Sequence, residues 1–202
     1  MLKQFCRQVK IAFLENKLAI YISFSVLIFS LILGYFLEPY LYSYFNPVVD
    51  DLTQKVETGV IQLTFADIFL NNILIILQMF IYGLLFCLSV VVLAYNGFFI
   101  GYYTAIQDNL FAVLAHLIPH GIFELPSCAL ACASGLVLFN FFVNFLKSYL
   151  KDDLSLIVSI NCNLDKLKQA CIIFAVSVVL MVMAGFVEVY LTRGIADFIL
   201  GI

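Results

Sequence analysis

This sequence is short of charge, of histidine and of the motifs that soluble chemistry leaves behind. Only 11% of its 202 residues are charged, against 64% hydrophobic, and the mean hydropathy is +1.10. A soluble domain carries roughly 25% charged and about 45–50% apolar residues, so this composition excludes an ordinary soluble fold and points to a bilayer. The ten basic residues are scattered and the net charge is -3. That leaves no basic stripe and excludes nucleic acid as a partner. Tryptophan is absent, so tyrosine must supply any aromatic belt at a membrane surface. None of the six cysteines (Cys6, Cys87, Cys128, Cys132, Cys162, Cys171) forms a C-x-x-C pair, which argues against a disulfide framework or a zinc knuckle. No H-E-x-x-H, Ser/His/Asp arrangement or phosphate-cradling glycine loop occurs, so a soluble-type hydrolase or NTPase finds no support.

What is present is a series of long apolar runs, expected to form an all-α polytopic helix bundle within a single membrane domain, 1–202. Residues 1–17 form an amphipathic pattern. Leu2, Phe5, Cys6, Val9 and Phe13 share helical spacing while Lys3, Gln4, Arg7, Gln8 and Lys10 take the other side, as in a helix lying on anionic lipid. The first span is 18–37, too long for a signal h-region and without a small-x-small cleavage site, so it is expected to stay as an anchor. Tyr40, Tyr42 and Tyr44 follow as a belt. The 38–64 segment is acidic, with Asn46-Pro47 ahead of Asp50 and Asp51 reading as the start of a short surface helix.

Thr64 with Asp67 has capping-box spacing, opening a second span over 65–95. At 1.5 Å per residue such a helix is about 45 Å long and must tilt or protrude. Asn96, Gly97 and Gly101 open a third, 97–119, interrupted by Gln107, Asp108 and Asn109; its two short apolar pieces predict a broken span or a re-entrant half-helix around 97–121. Spans over 122–146 and 167–191 complete the set. Lys3, Arg7, Lys10 and Lys17, with Lys147, Lys151, Lys166 and Lys168, place the amino terminus and the loop after the fourth span in the cytoplasm, and the 38–64 loop and carboxyl terminus outside. Five crossings satisfy this arrangement.

The only two histidines lie in His116-Leu-Ile-Pro-His120-Gly-Ile-Phe-Glu124-Leu-Pro126. With five crossings, Asn71, Asn72, His116, His120, Glu124 and Glu188 fall at similar depth on three spans. An acidic residue at a helix centre costs about 2.5–3.5 kcal/mol on insertion scales, so these groups are expected to face the bundle interior and find partners. His120 and Glu124, one turn apart, can pair with each other and with Glu188. Pro119 lacks an N–H and Gly121 tolerates unusual dihedrals, so together they can break the helix, and Pro126 can kink its continuation. Three chemistries compete: a satisfied polar core that fixes how the spans dock; a divalent metal held by His116, His120, Glu124 and Glu188; and a proton or solute relay through a cavity reaching Asp108 or Gln78. Gly97 with Gly101 is a GxxxG contact between spans of one chain, or a seam between copies, which leaves a homo-oligomer open. Cys128 and Cys132, one turn apart among Ala and Ser, read as a close-packing helix face.

Three blocks carry a family resemblance: Asn96-Gly97 with Gly101; Pro119-His120-Gly121-Ile122-Phe123-Glu124-Leu125-Pro126; and Ala184-Gly185 with Glu188 and Thr192. In order and spacing they resemble the stage II sporulation protein M family of multi-pass membrane proteins, over roughly residues 70 to 195. The chain departs at Arg193, where that family often has Pro. The resemblance implies a membrane scaffold or assembly factor, as in the spore-engulfment machinery where such a protein holds cell-wall hydrolases. It also implies that His120, Glu124 and Glu188 matter most. The expected partners are the lipid bilayer and other membrane or envelope proteins, with a metal-dependent intramembrane enzyme or a small-solute transporter as the alternative.

Overall fold

The computed structural model describes residues 2–58, 65–85, 88–150 and 155–201. Thr64, Cys87 and Lys151 lie outside them, as do the side chains of Leu2 and Phe5. The described residues form helices and no strand: α1 (Leu2–Glu15), α2 (Lys17–Glu57), α3 (Phe65–Tyr82), a 3-10 turn (Gly83–Leu85), α4 (Leu88–Ala105), α5 (Leu110–Leu150), α6 (Leu156–Tyr190) and α7 (Thr192–Leu200). Portions of α2, α4, α5 and α6 are long and apolar enough to cross a membrane, and α3 contributes a shorter apolar helix. The all-α membrane bundle expected from the sequence is the architecture found.

The central element is α5, which packs on α2, α3, α4, α6 and α7. Its run from Ser127 to Gly135 is buried without interruption, although a helix in a bundle normally hides only one stripe. Ser, Cys, Ala and Gly fill that run, with Leu130 the one larger side chain. Small side chains allow neighbours to approach from every direction, and in lipid this close van der Waals packing is what holds helices together. Cys128 and Cys132 are buried there as free thiols. α5 and α6 run antiparallel: His120 meets Thr192 near one end, Ser127 meets Ser177, and Ser148 meets Asn163 near the other.

α2 and α4 run parallel. A side chain at Gly97 would collide with Ser30 and Leu27, and one at Gly101 with Leu31 and Tyr35. The GxxxG pair is therefore an intrachain crossing. α1 keeps its polar side exposed and buries Ala12. It is latched to α6: Asn16 Nδ2 donates to Gln169 Oε1 at 2.8 Å, Gln169 Nε2 donates to Glu15 Oε2 at 2.7 Å, and Lys166 lies 3.4 Å from the same carboxylate. The hydrogen bonds from Gln169 and Lys166 hold the Glu15 carboxyl below its usual value of 4.5.

Three boundaries differ from the sequence reading. The expected single span 65–95 is two helices, because the chain turns at Gly83, where its backbone lies against that of Gly135 and a Cβ on either glycine has no room. Ser89 Oγ, ten residues on, donates to the Met79 carbonyl, which shows the chain doubling back. The polar interruption at 107–109 ends α4, but Pro119, Gly121 and Pro126 do not break the following helix: 97–119 and 122–146 are not separate spans, since α5 continues from Leu110 to Leu150. With no water in an apolar bundle to bond the freed carbonyls, a helix bends at proline rather than ending there. For the same reason α2 passes Pro39 and Pro47. Asn46 thus starts no new helix, and its amide donates to Asp50 at 3.0 Å. Beyond its apolar part α2 carries Phe45 onto Phe98 and Tyr102 and leaves Tyr40 and Tyr44 exposed.

Candidate functional site

The site lies where the first third of α5 meets the end of α6 and the start of α7. His120 and Glu124 are one turn apart on α5, and Glu188 is near the last turn of α6. One ligand-type atom from each of the three lies within 4.8 Å of the others, and all three residues are half-buried. His120 Nε2 stands 3.9 Å from Glu124 Oε2, close enough for a charge interaction and too far for a hydrogen bond. Glu188 Oε2 is buried and meets no donor.

Thr192 completes the arrangement. Its hydroxyl donates to the Val187 carbonyl at 3.1 Å, so its single proton is committed. Its oxygen, 3.3 Å from His120 Nδ1, is then left to accept. Nδ1 is then the donor of this pair, and in the neutral ring Nε2 carries the lone pair on the side of Glu124. α6 ends at Tyr190, and Leu191 separates it from α7. This break swings Thr192 inward, where it is buried.

Of the residues singled out in the sequence, His120, Glu124 and Glu188 are brought together and His116 and Asn72 are not. His116 is exposed. Its Nδ1 lies 2.9 Å from the Ala112 carbonyl of its own helix, and it lines a cleft with Tyr103, Val113 and Leu117. Eight residues of α-helix advance about 800°, so His116 is displaced by roughly 80° from Glu124, whereas His120 is displaced by only about 40°. Asn72 is half-buried on α3, and its side chain lies 3.5 Å from that of its exposed neighbour Asn71. Gln78 and Asp108, which a solute pathway was expected to use, are both exposed. Gly121 borders an apolar groove of about 440 Å³ between α2, α4 and α5. Gly185 is buried in α6 and Asn96 half-buried in α4.

The sequence alone assigns Thr192 no chemistry of its own, because the helix break at Leu191 that turns it toward His120 is not marked by any local signal. Sequence reasoning passed over the Ser127–Ser177 pair altogether. Ser127 Oγ donates to the Ser177 carbonyl and Ser177 Oγ to the Ser127 carbonyl, each at 2.8 Å. Serine is common inside apolar helices, and nothing in the sequence pairs these two.

An imidazole and two carboxyl groups therefore converge between α5 and the α6–α7 corner. Such a cluster can hold a cation or shared protons, and it ties α5 to the α6–α7 corner in either case.

Comparison with known proteins follows the same segment. The sequence model of the family described as stage II sporulation protein M matches residues 22–193. An uncharacterized protein of Methanocaldococcus jannaschii is 32% identical over 146 residues, covering 69% of this chain and 77% of that protein. No solved structure matches.

Proposed function

This chain belongs to the stage II sporulation protein M family, and on that premise we propose that it is a non-enzymatic scaffold or assembly factor of the cell membrane. The observation that carries this reading is the course of α2. It continues as one helix to Glu57, well beyond a membrane-length segment, and presents Tyr40, Tyr42, Tyr44 and Val48 to the outside together with Asp50 and Asp51. A hydrocarbon core is about 30 Å thick, whereas a 41-residue helix is about 60 Å long. The surplus is a rigid platform built on the α4 end, suited to recruiting membrane or envelope proteins. The closely packed α5–α6 pair supplies the fixed base such a platform needs.

The orientation belongs to the same proposal. Among the described residues, helix directions put Lys3, Arg7, Lys10, Lys17, Lys147, Lys166 and Lys168 at the α1 end of the bundle, with Lys55 and Arg193 the exceptions. The positive-inside rule then makes the α1 end cytoplasmic and the carboxyl terminus extracytoplasmic.

Co-purification from native membranes tests the scaffold reading. The chain should bring down a defined set of membrane or envelope proteins, and replacing Tyr40, Tyr42 and Tyr44 with Ala should release them while the chain itself remains folded. A set that is absent, or that survives those substitutions, contradicts it. A second reading, a metal-dependent intramembrane enzyme, is favoured by one observation, the convergence of His120, Glu124 and Glu188.

A further inference from the structure

We propose that His120, Glu124 and Glu188 form a binding site for a single divalent transition-metal ion of the Zn²⁺ class, held between α5 and α6. This inference is independent of the scaffold reading; a scaffold can contain a structural metal, and a chain with no partners can bind one.

The case begins with donors and acceptors. The Thr192 hydroxyl donates to the Val187 carbonyl, which leaves its oxygen to accept a hydrogen bond from His120 Nδ1. Nε2 of His120 faces Glu124 Oε2 across 3.9 Å, too far for a hydrogen bond and open to a shared ligand. Glu188 Oε2, which has no donor and no access to solvent, completes the set. Acceptors do not converge in an apolar interior without a proton or a cation between them. A divalent ion supplies two charges for two carboxylates and leaves the imidazole neutral, which is the form that ligates.

The geometry suits such an ion. Around a tetrahedral Zn²⁺ with bonds of about 2.0–2.1 Å, ligand atoms stand about 3.3 Å apart. The three atoms lie within 4.8 Å of one another, so no pair has to close by more than about 1.5 Å to reach that spacing. One imidazole with two carboxylates favours Zn²⁺ or Mn²⁺ over Ca²⁺, which takes six to eight oxygens. The Nδ1–H of His120 on the Thr192 hydroxyl is the outer contact that metal-bound histidines ordinarily make, fixing the ring and its tautomer. Three protein ligands leave a fourth position for water or a substrate oxygen.

The test uses the full-length chain in detergent, stripped with chelator, dialysed and titrated with ZnCl₂, with bound metal counted per chain. Wild type and His116→Ala should each hold about one ion. Glu188→Gln and His120→Ala should bind at least tenfold more weakly, and Thr192→Val should fall in the roughly 10–100-fold range of an outer-contact loss. Equal zinc in wild type and a folded Glu188→Gln, or none in wild type, overturns the site. Should the ligand variants not fold, Co²⁺ added to His116→Ala decides, because His120 is then the one imidazole left. Visible d–d absorption that saturates at one equivalent and is displaced by Zn²⁺ supports the site, and its absence overturns it.

Discussion

Ser127 and Ser177 offer a quantitative test of how α5 and α6 are held together. Each hydroxyl donates to the other residue's backbone carbonyl at 2.8 Å, so the two protons are both in use and the 3.1 Å approach of the oxygens has none left to share. Both side chains are fully buried. Interhelical hydrogen bonds measured in membrane proteins average about 0.6 kcal/mol and reach about 1.7 kcal/mol. Ser127→Ala and Ser177→Ala should each cost an amount in that range. The double variant should cost about 1–3 kcal/mol, close to the sum, since removing one hydroxyl leaves the other's carbonyl partner in place. The coupling in the double-mutant cycle should thus be near zero, within the few tenths expected for independent sites. Equilibrium unfolding of the purified protein in mixed micelles, followed by circular dichroism, measures all four corners. A coupling as large as the single effects means that the hydroxyls bond to each other, and two neutral single variants mean that the helices do not meet at this level. Either result refutes the packing described.

Other outcomes follow from particular contacts. Gly83→Leu has no room against the Gly135 backbone and should cost at least the roughly 1–3 kcal/mol of an overpacked core, whereas Gly194→Ala, with open space around it in α7, should be neutral or stabilising by up to about 1 kcal/mol; the same unfolding assay compares them. The Glu15 carboxyl is held below its usual 4.5 by Gln169 and Lys166, so its part in docking α1 is fully present above that pH and is lost as pH falls through the lowered value. Hydrogen exchange of α1 should accelerate on acidification in wild type and be independent of pH, after correction for the intrinsic rate, in Glu15→Gln. With the exposed Cys6, Cys162 and Cys171 changed to serine, Asn109→Cys should react with an impermeant maleimide on intact cells, and Ser155→Cys only after permeabilisation.

The polar cluster was legible because apolar surroundings make a few groups conspicuous. His120, Glu124 and Glu188 stand in runs where an ionisable side chain is costly, and a four-residue spacing puts the first two on one face. The amphipathic α1 was legible for a related reason, since Lys3, Arg7 and Lys10 recur on one side. The turn at Gly83 was hidden because its cause is the backbone of Gly135, distant in sequence, and the local residues Tyr82 to Leu85 contain no proline or polar stop. Pro119 and Pro126 misled in the opposite direction. In water they mark a boundary, but in an apolar bundle the helix has no better partner for its carbonyls and continues. His116 looked like a fourth ligand on spacing alone, yet a drift that accumulates to about 80° between Glu124 and His116 and a contact with its own helix at Ala112 take it out of the site. Thr192 required tertiary knowledge, because the break at Leu191 decides that its hydroxyl points to His120.

The account depends above all on α5 and the α6–α7 corner bringing an imidazole and two carboxylates to one point. X-ray absorption at the zinc edge, on protein loaded with one equivalent in lipid nanodiscs, tests this most directly. The spectrum should show only nitrogen and oxygen neighbours at about 2.0–2.2 Å, with outer scattering from one imidazole that persists in His116→Ala and vanishes in His120→Ala. Zinc bound through sulfur at about 2.3 Å, or imidazole scattering lost with His116 instead, would contradict it.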